Sequence, residues 1–318
     1  MPRPRYPSYM ARAVRAIEEN LSRADVVIEV ADARAPRSSR HPNGDRLFAS
    51  HPRILVLNRA DLADPALTRR WLCALGRPGA GPAFKALSAS AARGWGVAEL
   101  SVQVRALAPG RAAGAVRAMV VGLPNLGKSA LINRLAGRRK APTGALPGVT
   151  RGEAWVAAGE GLYVLDLPGI LYPRPRDASS YLCLAALGVL DPAEYQPEHA
   201  ACWLLQRLGA RVVLALSRRL GVPLPSAGAT GPGRPGGSPP AAAGDPHAFL
   251  DALARARGYL LTGGRPDVAR AARALLKDFG RGLLGRFTLE EPGRAAGRER
   301  VSGVEDSPGG GSPWEPGA

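Results

Sequence analysis

Lysine is nearly missing from this chain of 318 residues: four stand among 43 basic side chains, so almost every positive charge is an arginine. Aromatic residues make up 5%, too few for the stacking platforms that grip single-stranded nucleic acid. Three cysteines (Cys73, Cys183, Cys202) and four histidines (His41, His51, His199, His247) lack metal-site spacing and a disulfide-framework count. That pattern excludes zinc and reads as buried or inert thiols in a reducing compartment. No apolar run reaches the ~18 residues a membrane-spanning helix needs. Acidic residues are in deficit too, 26 in all, for a net charge of +17 and a pI near 10.9. Such a field favours phosphate backbones and makes binding salt-dependent. The basic residues are dispersed, which suits recognition of a folded RNA by shape and phosphates better than reading of a sequence. An arginine bias that merely solvates the surface gives the same composition.

One of the four lysines stands where chemistry wants an ammonium. Gly122-Leu123-Pro124-Asn125-Leu126-Gly127-Lys128-Ser129 fits G-x-x-x-x-G-K-S/T, the phosphate-binding loop of nucleotide hydrolases. Apolar Ala118-Met119-Val120-Val121 precedes it as a strand, and a helix is expected from Ser129 onward. Glycines let the backbone curl around phosphates, and amides of 125–130 (Asn125, Leu126, Gly127, Lys128, Ser129, Ala130) meet their charge at the helix start. Lys128 is placed to reach the β- and γ-phosphates, and the Ser129 hydroxyl to ligate Mg²⁺.

A second motif concerns the base. The strand-like run 53–57 ends in Asn58-Arg59-Ala60-Asp61, similar to the guanine-specificity motif N-K-x-D. A carboxylate there accepts from guanine N1–H and the 2-amino group, whereas adenine would leave it unpaired. Asp61 takes that role, with Asn58 supporting the loop and Arg59 stacking in place of the usual lysine stem. On its own, Asp61 fits equally well as the cap of the following helix. Ser88-Ala89-Ser90-Ala91, before Gly94-Trp95-Gly96, is similar to the short base-contacting loop of GTPases.

Pro147-Gly148-Val149-Thr150-Arg151 lies where a first switch is expected, with Thr150 suited to Mg²⁺ and the γ-phosphate. Strand-like 162–165 leads into Asp166-Leu167-Pro168-Gly169, which matches D-x-x-G: Asp166 for Mg²⁺, the Gly169 amide as γ-phosphate sensor. Ordinary GTPases run phosphate loop, switches, guanine motif. Here residues 58–61 and 88–91 precede 122–129, 150 and 166–169, so the expected fold is an α/β, circularly permuted P-loop GTPase domain with a doubly wound sheet. Rejoined chain ends at the surface of such a sheet permit this, and the second switch then leads straight into whatever follows.

With these motifs the chain resembles the circularly permuted GTPases that assist large-ribosomal-subunit assembly, over about residues 6–290. Supporting matches are Tyr6-Pro7-Ser8-Tyr9-Met10-Ala11-Arg12-Ala13 (similar to F-P-G-H-M-A-K-A), Asp32-Ala33-Arg34-Ala35-Pro36 with Ser38-Ser39-Arg40-His41-Pro42, and Pro168-Gly169-Ile170-Leu171-Tyr172-Pro173-Arg174. Leu182-Cys183-Leu184-Ala185-Ala186-Leu187-Gly188 and Asp278-Phe279-Gly280-Arg281-Gly282-Leu283-Leu284-Gly285 look closest to the mitochondrial ribosome-associated GTPase of animals. The resemblance implies GTP and Mg²⁺ as ligands and GTP hydrolysis as the activity. It further implies K⁺ dependence associated with Asn125, the large subunit and its rRNA as partner rather than DNA, and a monomer. It implies the mitochondrial matrix, with peripheral inner-membrane association, or the cytoplasm for a bacterial relative. Two positions depart from expectation: Ile170 replaces the glutamine of Ras-like enzymes, and Tyr9, with a reference pKa of about 10, replaces the family's histidine. Slow turnover stimulated by a ribosomal partner is the expectation that follows.

Strands are expected at 24–30, 53–57, 83–87, 118–121 and 162–165 within a G domain of residues 1–175. Helices are expected at 181–190, 200–208 and 268–279 within a small C-terminal domain of residues 176–290. Residues 225–246, rich in Gly, Pro and Ala, read as a flexible insertion, and 291–318 as a disordered tail. Glu18 and Glu19, and a family-like opening at Tyr6, leave little room for a transit peptide. There is no internal repeat.

Overall fold

A computed structural model describes residue 17 and residues 19–41, 44–76, 84–108, 115–137, 155–159, 161–166, 177–222 and 245–293. The buried, β-branched run Val26–Asp32 forms β1, followed by a short helix α1 (Gly44–Leu47), β2 (Arg53–Asn58), α2 (Pro65–Leu75), β3 (Phe84–Ser88) and α3 (Val97–Ala106). Next come β4 (Val116–Gly122), α4 (Lys128–Leu135), β5 (Trp155–Ala157) and β6 (Leu162–Asp166). Helices α5 (Ala178–Ala186), α6 (Pro197–Leu208), α7 (Ala210–Leu220), α8 (Pro246–Ala256) and α9 (Val268–Gly280) complete the element order, with a 3₁₀ turn at Pro192–Glu194.

The six strands lie in the order β3-β2-β1-β4-β6-β5, all parallel except β5, which pairs antiparallel with β6. The chain enters at mid-sheet, runs outward to β3, and returns to lay β4 beside β1. That reversal is the switch point at which doubly wound sheets open a crevice beyond their strand carboxyl ends. All five parallel strands end on this edge: β1 at Asp32, β2 at Asn58, β3 at Ser88, β4 at Gly122 and β6 at Asp166. Parallel strands therefore bring the motifs to one edge whatever their order along the chain.

Alternation along β1 sends Val26, Ile28 and Val30 to one apolar cluster and Val27 to the other side of the sheet, with Met119, Val121 and Leu165. The larger cluster continues without a break into the helices, through Leu184, Leu204, Phe249 and Leu275. Glu29, although buried in β1, is paired with Arg40 at 3.1 Å and Arg53 at 3.3 Å, as a buried charge must be.

Three expectations need correction. Strand β1 is displaced by two residues, from the expected 24–30 to Val26–Asp32. The region 176–290 ends in a non-helical strap after α9, which returns to the sheet's carboxyl edge: Phe287 N–H donates to Leu62 O at 3.1 Å and Leu289 N–H to Arg34 O at 2.7 Å. Helix α8 begins inside the expected insertion, because the Asp245 side chain caps the His247 N–H and Pro246 suits the first helical position. Cys183 and Cys202 are buried, whereas Cys73 is exposed. Among the described residues no single helix is long and apolar enough to cross a membrane; α6 and α7 would pass together but bend by 111° between them.

Asp32 and Arg34 fasten the helical region to the sheet. Both are fully buried, and Arg34 Nη2 and Nε meet the Asp32 carboxylate at 2.8 and 2.9 Å. Arg34 Nη1 donates to Phe279 O at 2.9 Å and Gly280 O at 3.3 Å, where the end of α9 is electronegative. Burial pushes the Asp32 carboxyl up, but the charge and hydrogen bonds of Arg34, aided by Arg59, outweigh it and hold the group below its ordinary value. Its contribution to stability is therefore present above pH ~4 and is lost as pH falls through the lowered value. Arg34→Leu leaves that carboxylate buried beside Arg59 alone and is expected to cost about 3 kcal/mol at pH 7. Without Arg34, burial raises the Asp32 pKa, so the gap from wild type shrinks on acidification. Urea unfolding of both proteins at pH 7 and pH 4 checks this; an equal gap at both values contradicts it.

Candidate nucleotide site

The loop between β4 and α4 is built on two glycines that nothing else can replace. Gly122 has φ 151°, and a Cβ there would stand 2.5 Å from Val30 O; Gly127 has φ 84°, and its Cβ would stand 2.7 Å from Asn58 Nδ2. Asn125 adopts φ 59°, a conformation asparagine tolerates. Lys128 is buried and folds its Nζ back to donate to Leu123 O at 2.9 Å. The ammonium thus lies along the loop, ahead of the first turn of α4 that carries Ser129 and Ala130. Backbone amides at such a helix start, with a buried lysine beside them, are an arrangement for phosphate oxygens.

Asn58 locks this loop to the other two. Its Nδ2 donates to Leu126 O at 2.8 Å, and its Oδ1 accepts from Ala91 N–H at 3.1 Å. Ala89 N–H donates to Leu57 O and Ala60 N–H to Ala89 O, so Ser88 and Ala89 lie directly against the turn that carries Asp61. From α4, Arg134 reaches the carbonyls of Ala91 and Ala92 at 3.1 and 2.9 Å. Arg59 sits at φ 58°, with its guanidinium directed to Asn125 O (2.5 Å) and Asp32 (3.3 Å). Its charged end is thus committed to the loop framework, where stacking had been expected.

The cap of α2 is Asp64, whose Oδ1 accepts from Leu67 N–H at 2.8 Å. Asp61 therefore does not serve as that cap. Its carboxylate is 12% exposed, 3.9 Å from Nε of the exposed Arg93. Asp166 closes β6 opposite Val120 of β4, next to the phosphate loop. Thr150, Gly169, Ile170 and Tyr9 lie outside the described residues. Sequence reading missed Arg134, which carries no motif. It saw Asp32 and Arg34 without a role, although two opposite charges two residues apart at the end of an apolar run were a usable signal.

A sequence model of the family described as "50S ribosome-binding GTPase" matches residues 117–216. That span starts at β4 and holds the phosphate loop, while Asn58 and Asp61 precede it, as a permuted order requires. Ribosome biogenesis GTPase A of Bacillus cereus is 34% identical over 310 residues, covering 94% of this chain and 97% of that protein. The chain belongs to the ribosome biogenesis GTPase A family. It is a GTPase of circularly permuted type, and the family's fold agrees. The structure of GNP-bound YlqF from T. maritima superposes with a TM-score of 0.61 at 26% identity, over 89% of this chain and 99% of that one. The Arabidopsis thaliana protein "Short integuments 2, mitochondrial" is 34% identical over 230 residues, 65% of this chain and 56% of that protein.

Proposed function

We propose that this ribosome biogenesis GTPase acts in assembly of the large ribosomal subunit, in the mitochondrial matrix, with GTP occupying the three interlocked loops at the sheet's carboxyl edge. The observation that carries the reading is Asn58, whose one side chain ties the phosphate loop to the base-side loop. In this reading Asp61 accepts from guanine N1–H and the 2-amino group, flanked by Asn58, Arg59, Ser88 and Ala89. The amides of 125–130 hold the phosphates, and Lys128 bonds their outer oxygens in the transition state, with Thr150 and Gly169 reading the γ-phosphate. Ser129, Thr150 and Asp166 offer a hydroxyl, a hydroxyl and a carboxylate, an oxygen set that suits Mg²⁺. When bound, that ion neutralises charge developing on the phosphates.

The domain reading retains a G domain to residue 175, helices beyond it and a tail from 291. A monomer, slow turnover stimulated by the particle, K⁺ at Asn125 and peripheral membrane contact belong to the same proposal. The exposed arginines of α7 (Arg211, Arg218, Arg219) and of α9 (Arg270, Arg273) favour a phosphate-rich partner. A bacterial cytoplasmic role is the alternative location. Ile170 and Tyr9, which lack the usual water-positioning groups, favour a second reading: a GTP-binding scaffold or translation regulator with little turnover.

Co-sedimentation with ribosomal particles separates these. Assembly predicts GTP-dependent association with large-subunit precursors, lost at raised salt. Association with intact monosomes alone favours the translation regulator.

A further inference from the structure

The turn that carries Asp61 is held from outside by the strap that follows α9. Arg286 Nε donates to Ala63 O at 3.0 Å and Nη2 to Ala60 O at 3.2 Å, gripping carbonyls on both sides of Asp61. Phe287 N–H donates to Leu62 O at 3.1 Å, and Thr288 Oγ1 accepts from Asp64 N–H at 3.1 Å. Gly282, at φ 76°, lies so close under Leu62 that no Cβ fits without moving it. The far end of the strap is anchored independently. The half-buried Glu290 carboxylate accepts from Arg37 N–H at 2.6 Å and Ser38 N–H at 3.1 Å, Trp71 Nε1 donates to Glu290 O, and Arg207 of α6 donates to Leu289 O.

None of these bonds touches the phosphate loop, yet four of them fall on the five residues 60–64. Among the described residues of the G domain, that turn is held to a neighbouring loop by one backbone bond, Ala60 N–H to Ala89 O, and by the loose ion pair of Asp61 with the exposed Arg93 at 3.9 Å. A carboxylate that must meet two donors on one base edge needs its backbone fixed to within a fraction of an ångström.

We propose that the strap, through Arg286 and Thr288, positions the Asp61 turn and thereby sets guanine selectivity, making both residues positioning residues for the base. The proposal rests on Asp61 being the guanine acceptor. Selectivity then depends on a segment tethered to α6 and α9, so a partner that shifts those helices alters nucleotide affinity, and the nucleotide alters partner binding to the same degree.

The test compares GDP with IDP, which lacks only the 2-amino group, by calorimetry on the full chain. Wild type is expected to prefer GDP by roughly ten- to a hundredfold, the worth of a hydrogen bond to a charged acceptor. In Arg286→Ala/Thr288→Val the preference is expected to fall about fivefold or more, with IDP affinity held within about twofold because the phosphate contacts persist. Arg286→Lys, which keeps one donor, is expected to recover part of the preference. An unchanged GDP:IDP ratio in the double variant overturns the proposal, as does an equal loss of both affinities, the mark of a general brace. Asp61→Ala is the separate check: it should abolish the preference. A preference that survives it overturns the Asp61 reading, and the strap proposal with it.

Discussion

Asp61→Asn is expected to exchange guanine for xanthine. Guanine presents two donors, N1–H and the 2-amino group, to a carboxylate that has only acceptors. Asparagine keeps one acceptor but turns an NH₂ toward the 2-amino group, so two donors face each other and neither is satisfied. Xanthine carries a 2-oxo acceptor at that place and pairs with the new amide. Loss of a bond to a charged group, plus an unpaired buried donor, predicts GTP affinity falling by about 10²-fold or more and XTP affinity rising in return. Asp61 is well placed for so clean an effect: it does not cap α2, and its ion-pair partner Arg93 is exposed. Competition binding with GTP and XTP reads the exchange directly. Equal loss of both nucleotides would place the base elsewhere.

Lys128→Ala carries the second large effect. The ammonium is buried and bonded to Leu123 O, held along the loop before any phosphate arrives. A preorganised cation aimed at charge that develops on transferring oxygens is worth about 10²–10³ in rate, or ~2.7–4 kcal/mol. The variant should therefore retain its fold and guanine selectivity, because Asn58 and Asp61 are untouched, while single-turnover hydrolysis falls by about that factor. An unchanged rate would remove Lys128 from the chemistry.

The site was legible where a local rule forces a residue type. Gly122 and Gly127 are required because a Cβ would strike Val30 O or Asn58 Nδ2, and the motif pattern records that requirement. The permuted order was legible because the motif residues follow strands, and parallel strands deliver them to one edge. Element boundaries were less so. The expected first strand stops at residue 30, short of Asp32: a lone buried aspartate is costly in a strand, and its partner Arg34 removes the cost. Strand β5 has three residues, too few to show alternation, and survives only by pairing with β6. Helix α7 is strongly amphipathic, but Gly209 bends it sharply away from α6, and no pattern in the sequence states which face finds the core. The strap was not legible at all. Residues 282–290 contain no periodicity, and their role comes from contacts with residues some 220 positions earlier.

The coupling between nucleotide and ribosome is tested most directly by GTP turnover of the purified chain, with and without large-subunit particles, beside Lys128→Ala. Slow turnover alone, stimulation by the particles, and no stimulation in the variant are expected. GTP binding with no turnover under either condition would contradict that coupling.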